Sequence, residues 1–220
     1  MGNKNETFFQ KDSRAADNNS MAHNRICISH IRHRKTDGKS KRMGREVMII
    51  HTERMILKPL GTEYLQTVNK YATDLENTRF MMHLPNENIE ETKAFLEGTA
   101  AEWQKETPTF YEFAIILDGV HIGAVSVYMD ESFSEGELGW IVDKDYWGKG
   151  YAYEASKALV DMYVEKLGIR KFIAHCDSEN EASKRVMQKL GMQLEAEYDG
   201  RKNRASDEVR RECLYSMEVR

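Results

Sequence analysis

Gly148-Lys149-Gly150 lies between an apolar run, Glu137-Leu138-Gly139-Trp140-Ile141-Val142, and a helix-like run over residues 151–167. A glycine turn that carries a strand into a helix gathers main-chain N–H groups at the positive end of the helix dipole. That arrangement suits phosphate. Gly148 and Gly150 lack Cβ, so an anion can approach the backbone closely. Two familiar phosphate loops do not fit. A P-loop needs Ser or Thr directly after its Gly-Lys pair, whereas Gly150 follows Lys149 and no Ser or Thr comes next. The dinucleotide fingerprint needs Gly or Ala where Tyr153 stands. The amides of Trp147, Gly148, Lys149, Gly150, Tyr151 and Ala152 are therefore candidate ligands of a diphosphate. Lys149 either adds charge there or stands solvated in the loop, and a helix start with no ligand is the bland reading of the whole turn.

Other chemistry-bearing residues are sparse. Glu137 places a carboxylate at a strand end. Asn180-x-x-Ser183 before a helix-like run is a cap by physics alone. Cys27, Cys176 and Cys213 are odd in number and far apart, with no Cys/His metal spacing, so reduced thiols and no metal site are expected. Cys176 reads as a small buried apolar residue, not a nucleophile. His175 reads as structural or exposed.

The pattern x-x-x-Gly-x-Ala over Trp147 to Ala152 resembles the acetyl-CoA pyrophosphate loop of the GNAT superfamily of N-acetyltransferases. The longer string Glu137-Leu138-Gly139-Trp140…Tyr146-Trp147-Gly148-Lys149-Gly150-Tyr151-Ala152…Glu154-Ala155 is similar to the branch containing the ribosomal-protein-alanine acetyltransferases. Further likenesses are Thr52-Glu53-Arg54…Leu57-Lys58-Pro59-Leu60, Asn180-x-x-Ser183 and Leu190-Gly191-Met192, so the resemblance spans about residues 49–219. It implies acetyl-CoA as cosubstrate, with no metal. The pantetheine arm would lie between two splayed strands, residues 137–142 and 172–176, bonded to the backbone near Ile141 and Val142. Asn180 and Ser183 would stand beside it. Glu137 becomes the candidate base, directly or through water, and Ser183 the candidate acid for the departing thiolate. Many relatives carry Tyr where this chain has Met187, so that acid is missing. The acceptor implied is an amine, either a protein N-terminus or a small amine such as a polyamine or amino sugar. A non-catalytic acyl-CoA-binding or regulatory module is the alternative.

The elements that must hold these residues follow from periodicity. Helical spacing appears over residues 64–75, and Asn88 with Glu91 opens a second helix running to about Lys105. Residues 111–117 and 121–128 flank Asp118-Gly119, a hairpin signal. They lead by another turn into residues 137–142, then the glycine loop and a helix closed by Gly168. A strand at 171–176, a helix from Asn180, and two strands at 194–198 and 212–219 complete the pattern. The expectation is an α+β, mixed α/β domain of the GNAT fold: a mostly antiparallel central sheet of about seven strands flanked by about four helices, with a splayed pair at the cofactor site.

The chain has 220 residues, 40% hydrophobic and 31% charged, with formal net charge −4. The charge is uneven: residues 1–47 hold 11 Lys/Arg against 5 Asp/Glu, and residues 48–220 hold 21 against 31. The expected division is a basic leader over residues 1–47 and an acetyltransferase domain over residues 48–220. The leader can be read as disordered, as a nucleic-acid-binding arm, or as sequence ahead of a true start at Met48. Nucleic acid is the weaker expectation. No signal-type apolar segment opens the chain and no 18-residue apolar run exists, so a cytoplasmic protein without a membrane partner is expected. Dimers are common in the resembling family, and no interface signature is visible.

Overall fold

The computed structural model describes residues 48–219; every reading of the leader falls outside the described residues. The order of elements is β1 (Ile50–His51), β2 (Met55–Pro59), α1 (Leu65–Ala72), α2 (Ile89–Glu102), β3 (Phe110–Leu117), β4 (Val120–Met129), β5 (Glu135–Val142), α3 (Tyr151–Leu167), β6 (Lys171–Asp177), α4 (Glu181–Leu190), β7 (Gln193–Lys202) and β8 (Val209–Glu218). The sheet order is β1-β2-β3-β4-β5-β6-β8-β7, and only β5 and β6 run parallel. This is the expected mixed sheet, with eight strands. The additional one arises because the first stretch folds back on itself: the Thr52 N–H bonds the Met55 carbonyl at 2.9 Å and sets β1 against β2.

Local signals account for most of the element ends. Asp118 and Gly119 take φ of 48° and 81°, the twisted two-residue turn that their identities favour. Asn88 caps α2 by accepting the Glu91 N–H at 3.0 Å. Gly168 closes α3 in the left-handed conformation. Helix α1 stops at Ala72, so Leu75, although in period with its buried face, is 68% exposed.

The sheet buries both faces. On one, Ala114, Ala124 and Ile141 pack against Val68, Tyr71 and Ala72 of α1 and Leu96 of α2. On the other, Val127, Leu138, Val142 and Phe172 meet Ala155, Leu159 and Tyr163 of α3 and Met187 of α4. Strand β6 pairs along all seven residues with β8, while β5 pairs from Gly136 to Val142 with β4. Between β5 and β6 the ladder holds only at Glu135↔Lys171, Gly136↔Phe172 and Glu137↔Ile173. Beyond Glu137 the two strands part, and the expected splay is present. Gly123 of β4 is required on its far side: a Cβ there would lie 2.3 Å from the Ile141 carbonyl oxygen. Among the described residues no helix is long and apolar enough to cross a membrane.

Candidate active site

The glycine loop sits at the open end of the splay. Gly148 and Gly150 take φ of 75° and 82°, conformations that L side chains adopt only with strain. The Trp147 N–H is used within the fold, bonding the Lys144 carbonyl at 3.2 Å. Among the described residues the amides of residues 148–152 make no hydrogen bond. Five successive N–H groups therefore stand at the start of a 17-residue helix, as an anion cradle requires.

A clamp that sequence reasoning did not find holds this loop. The Glu154 carboxylate accepts from Thr52 Oγ1 at 2.6 Å, from the Arg54 N–H at 2.8 Å and from Arg54 Nε at 2.6 Å. Arg54 also donates to the Lys149 carbonyl at 3.1 Å and lies 4.6 Å over the Tyr151 ring. Burial works to raise the Glu154 pKa, but these donors hold it below the usual range. Thr52, Arg54 and Glu154 all stand in family-like strings, yet nothing in the chain links residues 100 apart. Lys149 turns its ammonium toward the Tyr146 ring, 5.5 Å away.

The phase of β5 decides which backbone groups face the gap. Asp143 N–H bonds Ile122 O, and Asp130 N–H bonds Glu135 O, so the odd-numbered residues of β5 turn to β4. Ile141 is thus spent on β4, and Leu138, Trp140 and Val142 face the splay. The Val142 carbonyl is already taken, by Trp147 Nε1 at 2.7 Å and Asn77 Nδ2 at 3.2 Å. What remains for a ligand is the Val142 N–H and both main-chain groups of Trp140.

At the closed end of the splay lies a cleft with about 740 Å³ of empty space, open to solvent. It is lined by Glu137, Asn180 and Ser183 together with Tyr128, His175 and Arg201. Asn180 caps α4, its side chain accepting the Ser183 N–H at 3.1 Å. The Ser183 hydroxyl makes no hydrogen bond among the described residues. The Glu137 carboxylate likewise has no ion pair or hydrogen bond there, and burial lifts its pKa above the usual range, with His175 opposing and Glu212 adding. Tyr128 is its direct partner across β4 and β5 and donates to Glu112 at 2.6 Å. Glu112 is fully enclosed, and burial pushes it up to about 8.

His175 is the residue that sequence reasoning set aside. Its Nδ1 lies 3.5 Å from Glu212. Burial opposes its protonation, but Glu212 and then Glu137 raise its pKa on balance. Cys176 is buried with its thiol pushed up to about 12 by desolvation, which keeps it protonated and unreactive. Met187 is fully buried and offers no proton.

The roof of the cleft, residues 80–84, is strapped down from the far end of the chain. Asn203 Nδ2 reaches the carbonyls of Thr78 at 2.8 Å, Met81 at 2.6 Å and Leu84 at 3.0 Å. Arg201 donates to the Phe80 carbonyl at 3.1 Å and pairs with Glu212. No local sequence signal marks these two residues. Among the described residues no cluster of His, Cys, Asp and Glu is placed to hold a metal ion.

A family model described as an acetyltransferase (GNAT) domain matches residues 54–193. An uncharacterised N-acetyltransferase of Bacillus subtilis, YnaD, is 29% identical over 150 residues, covering 67% of this chain and 84% of that protein. The spermidine N(1)-acetyltransferase of Escherichia coli is 26% identical over 142 residues, 64% of this chain and 74% of that protein. The solved structure of RimL, a ribosomal L7/L12 alpha-N-protein acetyltransferase in complex with coenzyme A, superposes with TM-score 0.69 at 18% identity, covering 78% and 98% of the two chains. A GNAT acetyltransferase of Bacillus anthracis gives 0.66 at 24%, with the same coverage.

Proposed function

The chain belongs to the GNAT acetyltransferase family, and on that premise we propose that it moves the acetyl group of acetyl-CoA to an amine by direct attack in a ternary complex. The observation that carries this reading is the run of five unbonded amides at residues 148–152. They would hold the diphosphate and direct the pantetheine arm into the splay. There the arm would pair with Trp140 and the Val142 N–H in the manner of an added strand. Its thioester would then reach the cleft near Glu137 and Ser183.

The protein's own residues supply the proton handling. Glu137 takes the proton of the incoming ammonium, directly or through a water. The raised pKa makes it a better match to that task than an ordinary carboxylate. The freed amine attacks the thioester carbon, and a gap-facing N–H of β5 is the donor available to the tetrahedral oxyanion. As the C–S bond breaks, the Ser183 hydroxyl protonates the thiolate and is restored, through solvent, by the second proton that the attacking nitrogen sheds, while Glu137 returns the first proton to solvent. The acceptor is an amine, either a protein N-terminus or a small molecule; an acidic domain, 21 Lys/Arg against 31 Asp/Glu over residues 48–220, would draw cations toward it. The buried free thiols of Cys176 and Cys213 fit a reducing, cytoplasmic setting.

Purified protein, acetyl-CoA and a panel of amines, followed by release of free thiol, test the proposal. Turnover above background supports it. Tight coenzyme A binding in calorimetry with no thiol release would leave an acyl-CoA-binding module instead.

A further inference from the structure

The cleft does not have the charge pattern that a polycation needs. Four carboxylates stand in or behind it. Glu212 is paired with Arg201 and lies beside His175, and these donors hold its pKa down although burial works to raise it. Asp177 accepts the Glu179 N–H at 2.9 Å and lies 3.7 Å from Arg210 and 4.0 Å from Arg201. Glu112 is enclosed behind the Tyr128 hydroxyl. Glu137 alone is unspent. A second ammonium entering this space would lose its hydration and meet no free carboxylate. The cations nearest to it are Arg201, already bonded to Glu212, and His175 where that ring is protonated, and neither attracts an ammonium.

Beside His83, Asn180 and Ser183, the rest of the lining is largely apolar. Met81 and Met82, half-buried, hang from the roof beside Phe80 and Leu84. Methionine fits irregular apolar bodies well. The roof is also held in place before any acceptor arrives, because Asn203 and Arg201 occupy its carbonyls. An apolar acceptor therefore meets a preformed wall and gives up less freedom on binding.

From this we infer that the acceptor is a single primary amine on an apolar body, seated beneath residues 80–84 with its nitrogen at Glu137. The inference rests on the transferase reading above. It runs against the overall acidic charge, which acts on approach through solvent, whereas the cleft sets what fits.

The test uses the full chain with acetyl-CoA and four acceptors: 2-phenylethylamine, a short peptide amide beginning with Met, putrescine and spermidine. Free-thiol release gives kcat/KM for each. The two amines with one charge and an apolar body should exceed both polyamines by at least about tenfold, the ratio expected for about 1.4 kcal/mol. A faster peptide would identify a chain N-terminus as the source, and faster phenylethylamine a free amine; either supports the inference. Met82→Glu should narrow the ratio by about tenfold or more while the coenzyme A affinity stays unchanged. Spermidine turned over as well as or better than the apolar amines by the unmodified protein overturns the inference and leaves the transferase reading intact. If no amine releases thiol, the transferase reading fails. The same four amines titrated into coenzyme A-saturated protein then decide the inference: tighter phenylethylamine or peptide supports it, and equal or tighter spermidine overturns it.

Discussion

At the residue scale, two glutamates on one sheet face have opposite surroundings. Glu137 is open to the cleft and unpaired; Glu112 is sealed behind Tyr128. Glu137→Gln should lower kcat by about 10²–10⁴-fold, the usual worth of a general base, and leave the affinity for coenzyme A unchanged in calorimetry. The acid limb of the pH–rate profile should sit above the ordinary carboxylate pKa, because burial raises Glu137. Glu112 makes a different prediction. Its folded pKa, about 8, exceeds the usual value of 4.5, so the folded state holds a proton that the unfolded chain releases. Its burial is without electrostatic cost below about pH 4.5, and stability falls as pH rises from there toward 8. Glu112→Gln should flatten that decline in denaturant titrations at several pH values. The chemical identities of Glu137, Asn180 and Ser183 were legible from the chain because they stand in recognisable strings. His175 was not, since a histidine on a strand gains meaning only from Glu212 and Glu137, which approach it from other strands.

At the scale of elements, the glycine loop, the hairpin and the caps could be read because each depends on residues a few positions apart. The phase of β5 could not. Period-two alternation was visible, but which half of the residues faces the gap depends on the register with β4, and that assigned Trp140 in place of Ile141. The clamp of Arg54 on Glu154 likewise joins distant segments. Arg54→Ala should weaken acetyl-CoA binding several-fold, read as a raised KM for acetyl-CoA with the acceptor KM little changed, since the loop loses its bond at Lys149. Gly123→Ala should be more damaging to the fold. Its methyl group would drive into the Ile141 carbonyl beside the splay, costing on the order of 1–3 kcal/mol in urea unfolding.

At the scale of the whole molecule, the proposed cofactor end of the splay is built from β5, the loop into α3 and its clamp from the first strands, and the proposed acceptor wall from segments more than 110 residues apart. Asn203 is the joint between them. Asn203→Ala should raise the acceptor KM without changing that for acetyl-CoA. A variant that merely loosened the fold would shift both. The strap has a further meaning for how such a protein diversifies. Residues 80–84 cannot be remodelled alone, because their carbonyl positions are dictated by the tip of the last hairpin. Among descendants of this chain that adopt new acceptors, changes in the two stretches should arrive as matched pairs, and a catalogue of relatives in which they drift independently would show the joint to be dispensable.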